Sequence, residues 1–205
     1  MTNLRPSFSF EHRLWEVGLS RVAGVDEVGR GAWAGPLLAA AVIFPPQMRL
    51  PFRLADSKQL SPVQREELVG VIKEKALGWA VSQVEVDFIE EQGISAATVR
   101  AMQSALENLA EPPEFVLVDY FRLSSWPAEK QNPIKFGDRL SNSIAAASIL
   151  AKVARDQLMR ELGKQYPQYG FEVHKGYGTR LHRQRIEEHG LCQLHRRSFI
   201  PEGLL

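Results

Sequence analysis

The sequence has very little cysteine and no long apolar run. Cys192 is the single cysteine among 205 residues, so an internal disulfide framework is excluded, and no Cys/His cluster has the spacing of a zinc site. The longest uninterrupted apolar stretch, residues 37–44, is far shorter than the roughly 20 residues that a membrane-spanning helix needs. Residues 1–10 lack the basic-then-apolar order of a signal peptide. We therefore expect a cytoplasmic protein without a membrane segment.

An excess of charge of either sign is also missing, because the formal net charge is only +1. With 44% hydrophobic and 24% charged residues, the chain has the composition of a folded protein with a sizeable core. The basic residues are nevertheless concentrated, since residues 152–200 contain ten Lys or Arg against five Asp or Glu, and four of the five histidines. Either a solvated helix surface or a surface that binds a polyanion produces this bias. The second interpretation requires an acidic, metal-suited site elsewhere.

Apolar runs and turn residues predict an α/β chain built on a mixed sheet. Strands are predicted at residues 21–28, 37–44, 79–86 and 115–119, with a brief extension at 134–136. The first three strands are expected to pair as a meander. Helices are predicted over residues 61–77, from a cap at Ser95 to residue 109, over 141–164 and over 179–189. Ser61, Pro62 and Gln64 have the order of an N-cap, an N1 proline and a capping box.

Four acidic residues lie at or near the ends of apolar runs: Asp26, Glu27, Asp119 and Asp138. Buried carboxylates repel one another and resist desolvation, so a cluster of them normally requires cations. Hard divalent ions with oxygen ligands, such as Mg²⁺, fit this need. Two such ions roughly 3.5–4 Å apart activate water and stabilise the leaving oxygen of a phosphodiester. The four acids therefore indicate a metal-dependent phosphodiesterase.

Each acid taken singly also fits a structural role. Asp138 could cap the helix that follows, Asp119 could terminate a strand, and Glu27 could point to solvent. Adjacent residues of a regular strand point to opposite faces, so joint use of Asp26 and Glu27 requires a strand end or a bulge. Gly29-Arg30-Gly31 follows this pair, and glycines allow positive φ and a close approach of main-chain N–H groups to a nucleic acid.

Several stretches of the sequence together resemble the bacterial ribonuclease HII family. They are VAGVDEVGRG (22–31), LADSKQLS (54–61), FVLVD (115–119), GDRLSNSIAAASILAKVARD (137–156), YPQYGFEVHKGYGT (166–179) and HRRSF (195–199). The resemblance covers nearly the whole chain. It implies an RNase H-like mixed sheet flanked by helices, with a helical C-terminal region, which we divide into a catalytic domain at 1–160 and a substrate-binding region at 161–205.

The resemblance also implies an activity and its ligands. The family hydrolyses the RNA strand of RNA–DNA hybrids and cuts at ribonucleotides embedded in duplex DNA, so these duplexes are the expected partners and Mg²⁺ or Mn²⁺ the expected cofactor. We expect a monomer. The residues before Arg21 are too few for the additional N-terminal domain of ribonuclease HIII, which favours HII.

Site residues follow from the resemblance position by position. The catalytic, metal-holding acids are Asp26, Glu27, Asp119 and Asp138. Gly29-Arg30-Gly31 corresponds to the element that senses a 2′-OH through backbone groups, and Tyr177 to the tyrosine that packs on the following deoxyribose. Further contacts to the nucleic acid are expected from Ser57, Lys58, His174, Lys175, Arg196 and Arg197.

One position departs from the family, which usually has glycine directly after the third acid, where this chain has Tyr120. The segment YFRLSSWPAEKQNP (120–133) is divergent as well. Two alternative functions stay open at this point. A nuclease of the same general fold that cuts DNA junctions or ends would also cleave an all-DNA control. A non-catalytic hybrid-binding module would bind without metal and without turnover.

Overall fold

A five-stranded mixed sheet forms the centre of the fold. The computed structural model describes residues 5–50, 54 and 61–204. The strands are β1 (Val22–Val28), β2 (Leu37–Ile43), β3 (Gly78–Val84), β4 (Phe115–Asp119) and β5 (Gln131–Ile134). They lie in the order β3-β2-β1-β4-β5. Strands β1, β2 and β3 pair antiparallel, whereas β4 is parallel to both β1 and β5. The predicted meander of the first three strands is confirmed.

Helices cover both faces of this sheet. In the described part of the chain they are α1 (Ser9–Glu16), α2 (Pro62–Lys75), α3 (Val86–Glu107), α4 (Asn142–Gln165), α5 (Phe171–His174) and α6 (Arg180–His189). Helix α3 packs through Met102 and Leu106 against the face of the sheet that carries Val25. Helix α4 packs through Ile149 against the opposite face. None of these described helices is long and apolar enough to cross a membrane.

Gly24 allows α4 to lie directly on β1. A Cβ atom at this position would come within 2.2 Å of the carbonyl carbon of Ser143, so the contact is between backbones and any side chain there would force them apart. The alanines at 145–147 continue this close packing, and all three are buried. The start of α4 is thereby fixed over the strand that carries Asp26.

The N-terminus of α4 is also held by α1. The Ser141 hydroxyl caps α4 by accepting a hydrogen bond from the Ile144 amide. Glu11 of α1 is fully buried, and its Oε1 accepts hydrogen bonds from the Ser141 hydroxyl at 2.7 Å and from the Ser143 amide at 2.9 Å. A carboxylate at this position also interacts favourably with the positive end of the helix dipole. Helix α1 therefore helps to position α4.

Most predicted boundaries agree with the structure within two residues, and the capping box at Ser61 and Gln64 is present. Two predictions need correction. The helix predicted from Ser95 is present as the second part of α3, but α3 starts at Val86, and a break at Gly93, with φ 80°, separates its two parts. The brief strand predicted at 134–136 instead occupies Gln131–Ile134, since Phe136 has left-handed backbone.

The C-terminal region is built onto the catalytic part rather than linked to it by a flexible segment. The predicted division after residue 160 falls within α4, which runs unbroken from Asn142 to Gln165. Helix α6, predicted over residues 179–189, is capped by the Thr179 hydroxyl and followed by Gly190 at φ 70°. The assignment of separate roles to 1–160 and 161–205 stays a prediction.

Candidate active site

The strand ends bring the predicted acids together. Asp26 and Glu27 lie near the end of β1, and Asp119 is the last residue of β4. Because β1 and β4 are parallel neighbours, their carboxyl ends meet at one edge of the sheet. Asp138 lies in the turn that leads into α4. All four line one cavity of about 400 Å³. Asp26 and Glu27 therefore both reach this cavity, as the sequence analysis required of a strand end.

Two short hydrogen bonds fix the carboxylates within this cavity. Asp26 Oδ1 accepts from the Glu27 amide at 2.7 Å. Asp119 Oδ1 accepts from the Gly137 amide, also at 2.7 Å. The second bond joins the end of β4 to the turn that carries Asp138. Backbone amides of two segments, β1 and the turn before α4, therefore hold two of the four carboxylates.

The electrostatics of the cavity are those of a site that needs cations. Asp26 is 5% exposed. Burial raises the pKa of its carboxyl well above the ordinary value, and the charges of Glu27, Asp119 and Asp138 raise that pKa further, against a lowering by a hydrogen bond from Ser148. Divalent cations would offset both the burial and the repulsion. The donor set, which is all carboxylate, fits Mg²⁺ or Mn²⁺.

The acids line an open cavity and do not form a closed cage. Within residues 5–50, 54 and 61–204, no three His, Cys, Asp or Glu side chains are arranged to hold a metal ion by themselves. Mg²⁺ commonly uses only one or two carboxylates and completes its shell with water and substrate phosphates. The arrangement therefore suits an ion whose binding is completed by a phosphodiester.

Replacing Asp26 with Asn is expected to stabilise the metal-free protein at neutral pH. The folded state raises the pKa of this carboxyl, so ionisation costs stability as the pH rises from the ordinary value of 3.8 through the folded value. Asn cannot ionise and avoids this cost. We expect the melting temperature in EDTA at pH 7.5 to rise by about 2 °C or more, and the difference to vanish near pH 3. A lower melting temperature of the variant at pH 7.5 would contradict the burial of an ionisable group.

Two side chains that the sequence interpretation did not select also line the cavity. Ser148 and Lys152 lie one helical turn apart on α4, and both reach the acid site. Lys152 Nζ donates to Asp156 Oδ1 at 2.7 Å. The spacing of four residues between these two polar positions was the available signal in the sequence. Lys152 places a positive charge beside the carboxylates.

The Gly29-Arg30-Gly31 segment is shaped by two buried arginines. Gly29 has φ 97°, and a Cβ there would lie 2.3 Å from Arg155 Nε. Arg155 donates to the carbonyl oxygens of Pro36, Lys175 and Ala34 at 3.0, 2.9 and 3.1 Å. Arg196 donates to the carbonyls of Gly29 and Gly35, at distances from 2.6 to 2.9 Å.

Both guanidinium groups are fully buried. Their hydrogen bonds go to backbone oxygens, and burial lowers the pKa of Arg155 and lowers that of Arg196 to about 9. The phosphate contact predicted at Arg196 was therefore wrong, because no surface of this residue is left for a ligand. Its contribution is to hold the carbonyls of the loop that contains Gly29.

The Arg30 side chain contacts Glu27 and Phe121. Its Nε lies 4.0 Å from Glu27 Oε1, and its guanidinium carbon lies 4.5 Å from the centre of the Phe121 ring. Gly31 has open space where a Cβ would lie. This arrangement is compatible with recognition by the backbone of the segment, and the predicted 2′-OH sensing stays a prediction.

Tyr177 lies in the same structural unit as this loop. It is half-buried and lines the acid cavity, and its backbone forms a β-bridge with Ala32. The Arg155 guanidinium carbon lies 5.4 Å from the centre of its ring, and Lys152 Nζ lies 6.0 Å from it. Tyr177 thus has a defined position next to both the acids and the Gly29-Arg30-Gly31 segment, called the glycine loop below.

Three buried histidines form a cluster next to the Tyr177 backbone. His182 Nδ1 lies 3.1 Å from the Tyr177 carbonyl oxygen, and its Nε2 lies 3.1 Å from His195 Nε2. The His174 ring stacks on His182 with centroids 4.2 Å apart. The Nδ1 of His174 accepts from the Gly176 amide, and its Nε2 lies 2.8 Å from the Tyr169 carbonyl.

His174 therefore does not have the surface position of the predicted phosphate contact. It is 7% exposed, both of its ring nitrogens are engaged by the backbone, and burial lowers its pKa. We correct this assignment to a structural one. Lys175 is half-buried, with its pKa lowered by burial, and Arg197 is exposed. Ser57 and Lys58 lie outside the described residues.

The buried histidines predict a loss of stability in mild acid. Burial lowers the pKa of both His182 and His195 to about 4, so the unfolded state binds more protons between pH 6.5 and 4. Each histidine should reduce the free energy of unfolding by about 1.4 kcal/mol per pH unit across this window. Denaturant unfolding at pH 7, 6 and 5 measures this slope. The variant His195→Gln should have a shallower slope, and an equal slope would contradict the assignment.

Solved structures identify the fold of the chain. The ribonuclease H2 of Pyrococcus horikoshii OT3 superimposes with a TM-score of 0.74 and 25% identity, covering 87% of this chain and 93% of that one. The Mn²⁺ complex of Bst-RNase HIII superimposes with a TM-score of 0.65 and 21% identity, covering 90% of this chain and 68% of that one. The mixed sheet and its flanking helices are those of the RNase H-like class of nucleases.

Sequence comparisons identify the family within that class. The family model for ribonuclease HII matches residues 23–201. The ribonuclease HII of Ruminiclostridium cellulolyticum is 48% identical over 200 residues, which cover 98% of this chain and 78% of the relative. The chain belongs to the ribonuclease HII family, and its activity is that of a ribonuclease H endonuclease. The resemblance found in the sequence is confirmed.

Proposed function

We propose that the protein hydrolyses the RNA strand of RNA–DNA hybrids and cuts 5′ of ribonucleotides embedded in duplex DNA, leaving 3′-OH and 5′-phosphate ends. The observation that carries the proposal is the convergence of Asp26, Glu27, Asp119, Asp138 and Tyr177 on one cavity. Membership of the ribonuclease HII family supports the substrate class. We further propose that the protein acts in the cytoplasm as a monomer.

The proposed cofactor is Mg²⁺ or Mn²⁺, held by the four carboxylates. The raised pKa of Asp26 and the all-oxygen donor set support this assignment, as does the Mn²⁺ complex of Bst-RNase HIII. When bound, the ions would lower the pKa of an attacking water and neutralise charge on the phosphodiester. The contribution of the chain is to hold the Asp26 and Asp119 carboxylates in place through the Glu27 and Gly137 amides.

Selectivity for a ribonucleotide is proposed to come from two neighbouring elements. The backbone groups of Gly29-Arg30-Gly31 would bind the 2′-OH, which is the feature that distinguishes RNA from DNA at a single position. The Tyr177 ring would pack on the following sugar, which must lack that hydroxyl. The hydrogen bond from Arg196 to the Gly29 carbonyl, and those from Arg155 to the carbonyls of Ala34 and Lys175, would hold these two elements relative to each other. Base readout is not required.

Cations near the cavity would position the duplex. Lys175 and Arg197 are proposed to contact phosphates, with Ser57 and Lys58 as further backbone contacts. Lys152, which lines the cavity, would attract the phosphodiester toward the carboxylates. Such contacts fix orientation and do not carry sequence information.

The test compares three duplexes: one with a single embedded ribonucleotide, one continuous RNA–DNA hybrid, and one all-DNA control. Cleavage of the first two in Mg²⁺ or Mn²⁺, with a 5′-phosphate on the product and no activity in EDTA, is the expected result. Cutting of the all-DNA duplex at a similar rate would indicate a DNA nuclease of the same fold. A 2′,3′-cyclic phosphate product would contradict attack by water.

A further inference from the structure

Two exposed aromatic residues stand out at the edge of the sheet that carries the acids. Tyr120 is 64% exposed and Phe136 is 54% exposed. Both have left-handed backbone, with φ 62° and 59°, a conformation that side chains with a Cβ adopt at an energetic cost. Large apolar side chains in unfavourable backbone and in contact with water have no evident benefit for folding. Such outliers are found at functional sites.

Both residues are adjacent to acids of the cavity. Tyr120 directly follows Asp119, and Phe136 precedes Asp138 by two positions. The Tyr120 amide donates to the Ile134 carbonyl at 3.0 Å. The two aromatic residues therefore lie on neighbouring segments, next to the ends of β4 and β5.

Two cations lie beside the Phe136 ring. Lys135 Nζ lies 5.4 Å from the centre of the Phe136 ring, and the guanidinium carbon of Arg139 lies 5.6 Å from it. Both cations belong to exposed residues. Aromatic rings interleaved with cations are the composition with which proteins bind nucleic acid strands.

The Tyr120 ring is also linked to the glycine loop. It packs edge-on against the Phe121 ring, with centroids 5.3 Å apart. The guanidinium carbon of Arg30 lies 4.5 Å from the centre of the Phe121 ring. The aromatic residues thus continue the site from the acids around to Arg30. This continuity favours the substrate duplex over an unrelated partner as the molecule that contacts them.

We propose that Tyr120 and Phe136, with Lys135 and Arg139, form a second contact surface for the sugar–phosphate backbone of the substrate duplex, on the β4–β5 side of the cavity. The proposal rests on the proposed function and adds residues to it. The role of this surface is to strengthen binding of the duplex, and the chemical step remains with the acids.

The variants Tyr120→Gly and Phe136→Gly separate this role from a structural one. Glycine adopts left-handed backbone without the steric penalty, so the melting temperature should stay equal or rise by about 1–4 °C. Loss of the apolar contact between an aromatic ring and a sugar should raise KM for the single-ribonucleotide duplex by roughly fivefold or more, while kcat changes less than about twofold. Increased stability together with weaker binding is the expected result.

Gln47→Gly is the matched control. Gln47 is exposed and has φ 61°, but it follows the end of β2 that pairs with the start of β1, away from the acids. Its replacement should affect stability in the same direction and leave KM unchanged. Lys135→Ala provides a second measurement, because removal of a phosphate contact should reduce the slope of log affinity against log salt by about 0.9, whereas Tyr120→Gly should leave that slope unchanged.

Unchanged KM in both glycine variants would overturn the proposal, and so would a fall in melting temperature with an equal loss of kcat on every substrate. These outcomes leave the proposed function intact, because the wild-type protein would still cut the single-ribonucleotide duplex in the same assay. Failure of the wild-type protein to cut that duplex would instead contradict the proposed function.

Discussion

Replacing Asp119 with Asn is expected to preserve the fold and to lower turnover by about a thousandfold or more. The amide oxygen of Asn can still accept the hydrogen bond from the Gly137 amide, which Asp119 Oδ1 now accepts at 2.7 Å. The negative charge that binds the cation is lost, and metal ions contribute several kcal/mol of stabilisation to developing charge, at tenfold in rate per 1.36 kcal/mol. Geometry is thus retained while the chemistry is removed.

Single-turnover cleavage of the one-ribonucleotide duplex, together with the melting temperature, measures this effect. Asp87→Asn, an exposed acid in the first turn of α3, is the matched control and should cleave like wild type. Binding of the duplex in EDTA should persist or strengthen for Asp119→Asn, because one repulsive charge has been removed. Wild-type cleavage by this variant would exclude Asp119 from the site.

Replacing Tyr177 with Ala is expected to lower cleavage at a single embedded ribonucleotide by about a hundredfold. Misplacement of the reacting groups by about 1 Å costs on the order of a hundredfold in rate, and the ring lines the acid cavity. The four carboxylates are unchanged, so the stabilisation of the protein by Mn²⁺ should be retained. The loss should be larger on the single ribonucleotide than on a continuous hybrid, where neighbouring contacts also position the strand.

Tyr177→Phe is the control that keeps the ring, and we expect it to resemble wild type. If Tyr177 only fills space above the histidines, Tyr177→Ala should lower the melting temperature and reduce cleavage of both substrates by the same factor. Unchanged junction cleavage by folded Tyr177→Ala would rule out the role in selectivity.

The acids could be predicted from sequence because each lies at or near the end of an apolar run. Three of them lie at or near the ends of strands, and Asp138 comes just before a helix. A carboxylate at the end of a buried strand is costly without a cation, so its position carries information by itself. Their convergence depends on the parallel pairing of β1 and β4, which short apolar runs do not specify. Local patterns thus indicated the residues, and the sheet order brought them together.

The basic residues were harder to predict because charge alone does not indicate where a side chain points. Arg196 and His174 were interpreted as phosphate contacts, yet both are buried and bind backbone groups. An arginine that binds a phosphate and an arginine that binds a buried carbonyl oxygen are the same residue type. The sequence does not show which backbone carbonyls need a side-chain donor, so it does not distinguish the two roles. The helical segment of α3 that precedes Gly93 was likewise not predicted, because a glycine in this position is typical of a loop.

The bond from Arg196 to Gly29 joins residues that are 167 positions apart in the chain. During synthesis the chain emerges from the N-terminus onward, so the strands and the four acids are complete while Arg196 is still inside the ribosome. The loop that contains Gly29 then lacks the donor that holds its carbonyl. A nascent or stalled chain that ends before residue 196 would carry the carboxylates without the arginine that holds the Gly29 carbonyl, and the selectivity proposed for this loop would be acquired last.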